Sequence, residues 1–147
     1  MRTLRSTIRS ERGAALLETA LTLPLLLLVT VGIVEFGRAY QTWQVLTNAA
    51  REGARVAVLP GTNDAAVQDR VRDYIEAGQL SYPDSASVVI TRNNVIPIGT
   101  GTATASRVQV DFPFQFMVLQ PVAQLVSSGS TVGAPITMRA TATMRNE

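Results

Sequence analysis

The sequence predicts an α+β fold: one long N-terminal helix, half of it in a membrane, carrying a second, shorter helix and an antiparallel sheet of about three strands. Three observations carry this expectation. Residues 14–34 form an apolar run of 21 residues with a single ionisable group, Glu18. That run passes without a break signal into a more polar stretch of helical period that ends at Pro60-Gly61. From residue 86 the period changes to strict alternation.

Each element follows from local chemistry. Residues 1–13 carry Arg2, Arg5, Arg9 and Arg12 against Glu11, a short basic leader ahead of the apolar run. The run, Ala14–Val34, would span roughly 31 Å as a helix, about the hydrocarbon thickness of a bilayer. Arginines on its N-terminal side predict a cytoplasmic N-terminus and a body on the far side of the membrane. Residues 35–60 continue the same helix with Glu35, Arg38, Gln41 and Gln44 adding polarity. Phe36, Tyr40 and Trp43 share one face, as an interfacial aromatic belt or as a contact for a partner. Ala49, Gly53 and Ala57 recur at every fourth position, with Ala50 and Ala54 beside them. Small residues at this spacing let another backbone approach closely, either the protein's own sheet or a neighbouring subunit.

Residues 61–147 read as a small α+β domain. Thr62-Asn63-Asp64 offers a helix N-cap, and Val67, Val71, Tyr74 and Ile75 form an apolar stripe ending at a Gly78 C-cap. Val88-Val89-Ile90 is a strand followed by a turn at Asn93-Asn94, with Val95-Ile96 leading to Pro97 and the loop Gly99–Thr102. Val108, Val110 and Phe112 alternate with polar residues until Pro113 interrupts them. Phe114, Phe116, Val118 and Leu119 open a hydrophobic segment read as a short helix through Val126, and Ser127–Ser130 is a loop. Ile136, Met138, Ala140 and Ala142 form the last strand.

Composition removes many functions. The 147 residues, 46% of them hydrophobic, suit one folded domain rather than a disordered chain. With no cysteine, histidine or lysine, the chain has no thiol nucleophile, no Ser-His-Asp triad, no Cys/His zinc site and no Schiff-base lysine. Residues 35–147 hold nine arginines and nine acids, so the high pI belongs to the leader and no nucleic-acid footprint is expected. Asp69, Asp73 and Glu76 share a helix face, but Arg70 and Arg72 flank them at pairing distances, and a solvated face is the expectation. The loop Gly99–Thr102 lacks the lysine and helix entry of a phosphate cradle. No enzyme activity, cofactor or metal is expected.

The apolar run has three readings. It is a plain single-pass anchor, a secretory signal cut after Ala39, or a segment whose basic leader is closed by Gly13 and removed before Ala14. Glu18 bears on the choice, because a carboxylate in an apolar span is costly. It is either an edge residue that snorkels to the interface or the counter-ion of a new α-amino group on Ala14 of a neighbouring subunit.

Arg12-Gly13-Ala14-Ala15-Leu16-Leu17-Glu18 resembles the prepilin processing site of the type IV filament superfamily. The wider stretch through Thr19-Ala20-Leu21, Leu23-Pro24-Leu25-Leu26-Leu27 and Glu35-Phe36-Gly37-Arg38-Ala39 resembles the TadE-like proteins of the Tad (tight adherence) pilus system. So do Leu46–Arg55 and the final Ala140–Arg145. Thr19 departs from the aromatic residue usual after the glutamate. The resemblance implies a pilin-like fold and a minor pilin or pseudopilin inserted in the inner membrane. It further implies cutting between Gly13 and Ala14 by a prepilin peptidase, with Glu18 serving filament assembly. Its partners would be other pilin or pseudopilin subunits, the inner-membrane assembly platform and membrane lipid, and its role would lie in adhesion or biofilm formation. The rival expectation is a permanently anchored periplasmic binding module that enters no filament.

Overall fold

The computed structural model describes residues 4–126 and 128–146, with side-chain surroundings from Gly13 onward, residues 125–127 apart. Met1, Arg2 and Thr3 of the leader, and Ser127 of the expected loop, lie outside the described residues.

Helix α1 runs unbroken over Leu4–Ala57, 54 residues or roughly 80 Å. Pro24 lies inside it and withdraws one amide from the helical ladder. Threonines in the apolar half return their hydroxyls to the helix itself: Thr19, Thr22 and Thr30 donate to the carbonyls of Ala15, Glu18 and Leu26 at 2.8–2.9 Å. Their polar groups are thereby satisfied without water, as a hydrocarbon environment requires. The helix ends at Ala57, just short of the Pro60-Gly61 stop that the sequence indicates. There the Leu59 amide turns back to the Val56 carbonyl and Gly61 takes a φ of +77°.

Helix α2, Asp64–Ala77, starts as the sequence indicates: the Asn63 side chain accepts from the Ala66 amide at 2.9 Å. Val67, Val71 and Ile75 are fully buried, while Tyr74 lies at the margin. Gly78 closes the helix, but with φ −75° it needs no left-handed backbone; the residue that adopts one is Gln79, at +57°. Space is what selects glycine here, since a Cβ at position 78 would lie 2.5 Å from Cγ1 of Val45 on α1.

Three strands, β1 Ser87–Ile98, β2 Gly101–Phe114 and β3 Ile136–Arg145, form an antiparallel sheet in that order. Asn93-Asn94 is not a turn. The pairing jumps from Thr91↔Arg107 to Asn94↔Ala105, so two residues of β1 face one of β2. This is a bulge, accommodated by Asn93 at φ +55°. The chain reverses instead at Gly99-Thr100, where Gly99 (φ +58°) supplies the positive angle that a tight hairpin needs at its first loop position. Pro113 does not end β2 either. Pairing with β1 stops at Asp111, so Pro113 has β3 as its one neighbour, an edge setting in which a strand tolerates proline. Helix α3, Leu119–Val126, lies in the connection from β2 to β3.

Helices α1 and α2 cover one face of the sheet. Leu46, Ala49, Ala50 and Ala54 of α1, the three aliphatics of α2, and Val108, Val110 and Phe112 of β2 make the core. The other face is polar and open, with Gln109 and Asp111 beside Arg139, Thr141 and Thr143. A long apolar-to-polar helix, a second short helix and a three-stranded antiparallel sheet are thus the architecture, as the sequence predicted.

Candidate functional site

The features that could carry function lie along α1. At its start, Gly13 is inside the helix, with open space where a side chain would stand. Ala14 and Glu18 are one helical turn apart and share a face. Glu18 is exposed, flanked by Leu17 and Leu21 at 68% and 78% exposure. Every residue from Gly13 to Thr30 is exposed in the same way, and Leu23, Leu25, Leu26 and Leu27 are all at least half exposed. The window that meets the length and hydropathy of a membrane span has none of its residues buried within the chain. This helix is a candidate membrane anchor.

Immediately past the apolar run the helix changes character. Glu35 is 2% exposed. One oxygen of its carboxylate, Oε1, accepts from the backbone amides of Met117 and Val118, at 2.9 and 2.8 Å. The other, Oε2, accepts from Nη1 of Arg38 at 3.1 Å. The Arg38 guanidinium also stands 5.4 Å above the Phe114 ring, and Phe116 packs edge-on against both Phe114 and Phe36. Glu35 therefore ties the β2–α3 connection to α1 at the level where the apolar run ends. Nothing in the spacing of Glu35 identified this role, because its partners are backbone amides 82 and 83 residues away. Tyr40 and Trp43, higher on the same helix, are exposed and lie 6.5 Å apart.

In the upper half, the small-residue face meets the chain's own body. Ala49, Gly53 and Ala57 are buried. A Cβ on Gly53 would stand 2.5 Å from Val71, 3.2 Å from Val108 and 3.7 Å from Val67. The close approach that these residues permit is to α2 and β2. The helix end is locked by Arg92 of β1, which donates to the Ala57 carbonyl at 2.7 Å and to Asp64 of α2 at 2.8 Å.

A cleft of about 800 Å³ opens beside Arg38 and Thr42, between the Gln79–Tyr82 loop and the end of β2. Among the described residues no group of carboxylates is arranged to hold a metal ion. Asp69, Asp73 and Glu76 are on the exposed surface of α2, with Asp69 3.9 Å from Arg72. On the open sheet face Asp111 and Arg139 form a two-point pair across the strands, at 2.7 and 3.1 Å. The Arg139 hydrogen bonds hold the Asp111 carboxyl below its usual pKa, with Gln109 assisting, and Asp111 raises that of Arg139.

Residues 13–55 match the model of the TadE-like protein family. This is a TadE-like segment. It begins at Gly13, spans the exposed apolar half of α1 and the Glu35 junction, and stops within the small-residue face. The likeness covers this segment, under a third of the chain. No curated protein and no solved structure gives a match.

Proposed function

We propose that the chain is a minor pilin or pseudopilin of the Tad system. It is held in the inner membrane with its N-terminus in the cytoplasm and is cut between Gly13 and Ala14 by a prepilin peptidase. It then joins other pilin subunits, on the inner-membrane assembly platform, in building a Tad type IV pilus for adhesion or biofilm formation. The observation that supports this reading is the division of α1. One continuous helix is buried by its own domain in the upper half and presents bare leucine side chains in the lower half. Such a surface needs a cover from outside the chain, and a bilayer and a bundle of like helices can supply it in turn.

Glu18 sets the direction of that exchange. In lipid a carboxylate costs up to about 3 kcal/mol, less toward the end of the span where Glu18 lies. In a bundle it can pair with the Ala14 ammonium exposed by the cut. Losing one member of such a pair, once buried, costs about 3–5 kcal/mol. Glu18→Gln should thus favour the membrane and disfavour the filament.

N-terminal sequencing of the mature chain tests the reading. A start at Ala14 supports it; a start at Met1 indicates a permanent anchor, and one at Tyr40 a secretory signal. The Glu18→Gln protein should be cut, stable and membrane-bound, yet absent from sheared pili. Full piliation of a deletion strain by that variant would overturn the role given to Glu18.

A further inference from the structure

We propose that the segment after β2, residues 115–124, is a foot that rests in the boundary layer of the lipid bilayer beside the point where α1 leaves it. Three features of the molecule lead here. The first is position. Glu35 is the residue that follows the apolar run, and its carboxylate holds the Met117 and Val118 amides at 2.9 and 2.8 Å. The foot therefore sits at the level of the membrane surface if residues 14–34 span, a placement that rests on the membrane anchoring proposed above.

The second feature is the surface presented at that level. Met117 is 68% exposed, Phe36 63%, Val118 41% and Val122 36%. Phe36 follows the exposed Ile33 and Val34 along α1, and its ring stands 6.3 Å from that of Phe116 in the foot, so the patch begins where the apolar run ends. A cluster of this kind in water is a liability; at the headgroup and acyl boundary it is stabilised by burial of its apolar face.

The third feature is charge. Between Asp111 and Arg139 no charged residue occurs, a stretch of 27 residues longer than the uncharged part of the span itself. The two ionisable groups of α1 at this height are turned inward: Glu35 onto the foot's amides and onto Arg38, and the Arg38 guanidinium onto the Phe114 ring at the end of β2. A foot with no charged residue of its own is suited to insertion among neutral headgroups and carries no cation to recognise anionic ones. The occupant that fits is a lipid surface, held through its apolar boundary.

The chain has no cysteine, so single cysteines introduced at exposed positions carry a spin label without further change. The full-length protein is reconstituted in phosphatidylcholine vesicles with a label at Met117→Cys, Val122→Cys, Leu26→Cys in the span, or Thr141→Cys on the open sheet face. Collision with oxygen, which concentrates in lipid, is compared with collision with a water-soluble nickel chelate. The foot predicts that labels at 117 and 122 meet the nickel complex several-fold less often than the label at 141 and meet oxygen more often. Equal nickel access at 117, 122 and 141, with 26 shielded, would overturn the foot and leave the anchor standing. Nickel access at 26 would overturn the anchor and the foot with it. Shielding at 117 from both probes, with spin–spin broadening that disappears on dilution with unlabelled chain, would identify a second copy as the occupant and also overturn the proposal.

Discussion

Replacing Glu35 tests how the body is fastened to α1. The carboxylate is buried and accepts two backbone amides at 2.8–2.9 Å together with Arg38 at 3.1 Å. Hydrogen bonds to an ionised group contribute about 1.5–3 kcal/mol each, and buried amides that lose their acceptor cost a comparable amount. Glu35→Ala removes the acceptor of both amides, so opening of the segment 115–118 should become easier by about 3 kcal/mol, one such bond being partly replaced by water. At 1.4 kcal/mol per tenfold, that is a fall of roughly 100-fold in amide protection. Glu35→Gln keeps Oε1 as an acceptor but sets an amide donor against Arg38, so the fall should be about tenfold or less. Hydrogen exchange of the Met117 and Val118 amides in the full chain measures this, with α2 as the internal reference. Protection within twofold of the parent protein in Glu35→Ala would refute the assignment of Glu35 as the fastening.

Other outcomes follow from the same structure. Gly53→Ala gains about 1 kcal/mol of helix propensity but meets Val71 at 2.5 Å, and overpacking costs about 1–3 kcal/mol. Thermal unfolding followed by Trp43 fluorescence should show net destabilisation, relieved in part by Val71→Ala, whereas a more stable Gly53→Ala would contradict the packing. The Asp111 carboxyl titrates below its unfolded value because of Arg139, so its contribution to stability is present above the unfolded pKa and is lost as pH falls through the folded one. The stability gap between the parent protein and Asp111→Asn should therefore close in acid and stay constant above the ordinary aspartate range, as thermal melts across pH will show. A bulky residue at Gly13 should leave the precursor uncut, visible as a band heavier by the leader; a mature-sized product would argue against cleavage at that bond.

Much of this protein was determined by the sequence alone. The apolar run, the N-cap at Asn63, the stripe Val67–Val71–Ile75 and the alternation in β2 and β3 are periodic or nearest-neighbour signals, so short windows reveal them. The resemblance over the first third of the chain also lies in one contiguous stretch. Tertiary structure decided what depends on distant partners. Asn93-Asn94 has turn chemistry, but pairing with β2 on both sides carries the strand through it as a bulge. Gly78 looks like a cap, yet it is the approach of Val45 that excludes a side chain there. The small face of Ala49, Gly53 and Ala57 reads as a surface for the protein's own sheet or for a neighbouring subunit until Val71 and Val108 are seen against it. Glu35 had no visible role at all. Its partners are main-chain amides, which every sequence supplies and none advertises, and only the fold brings them to the end of the apolar run.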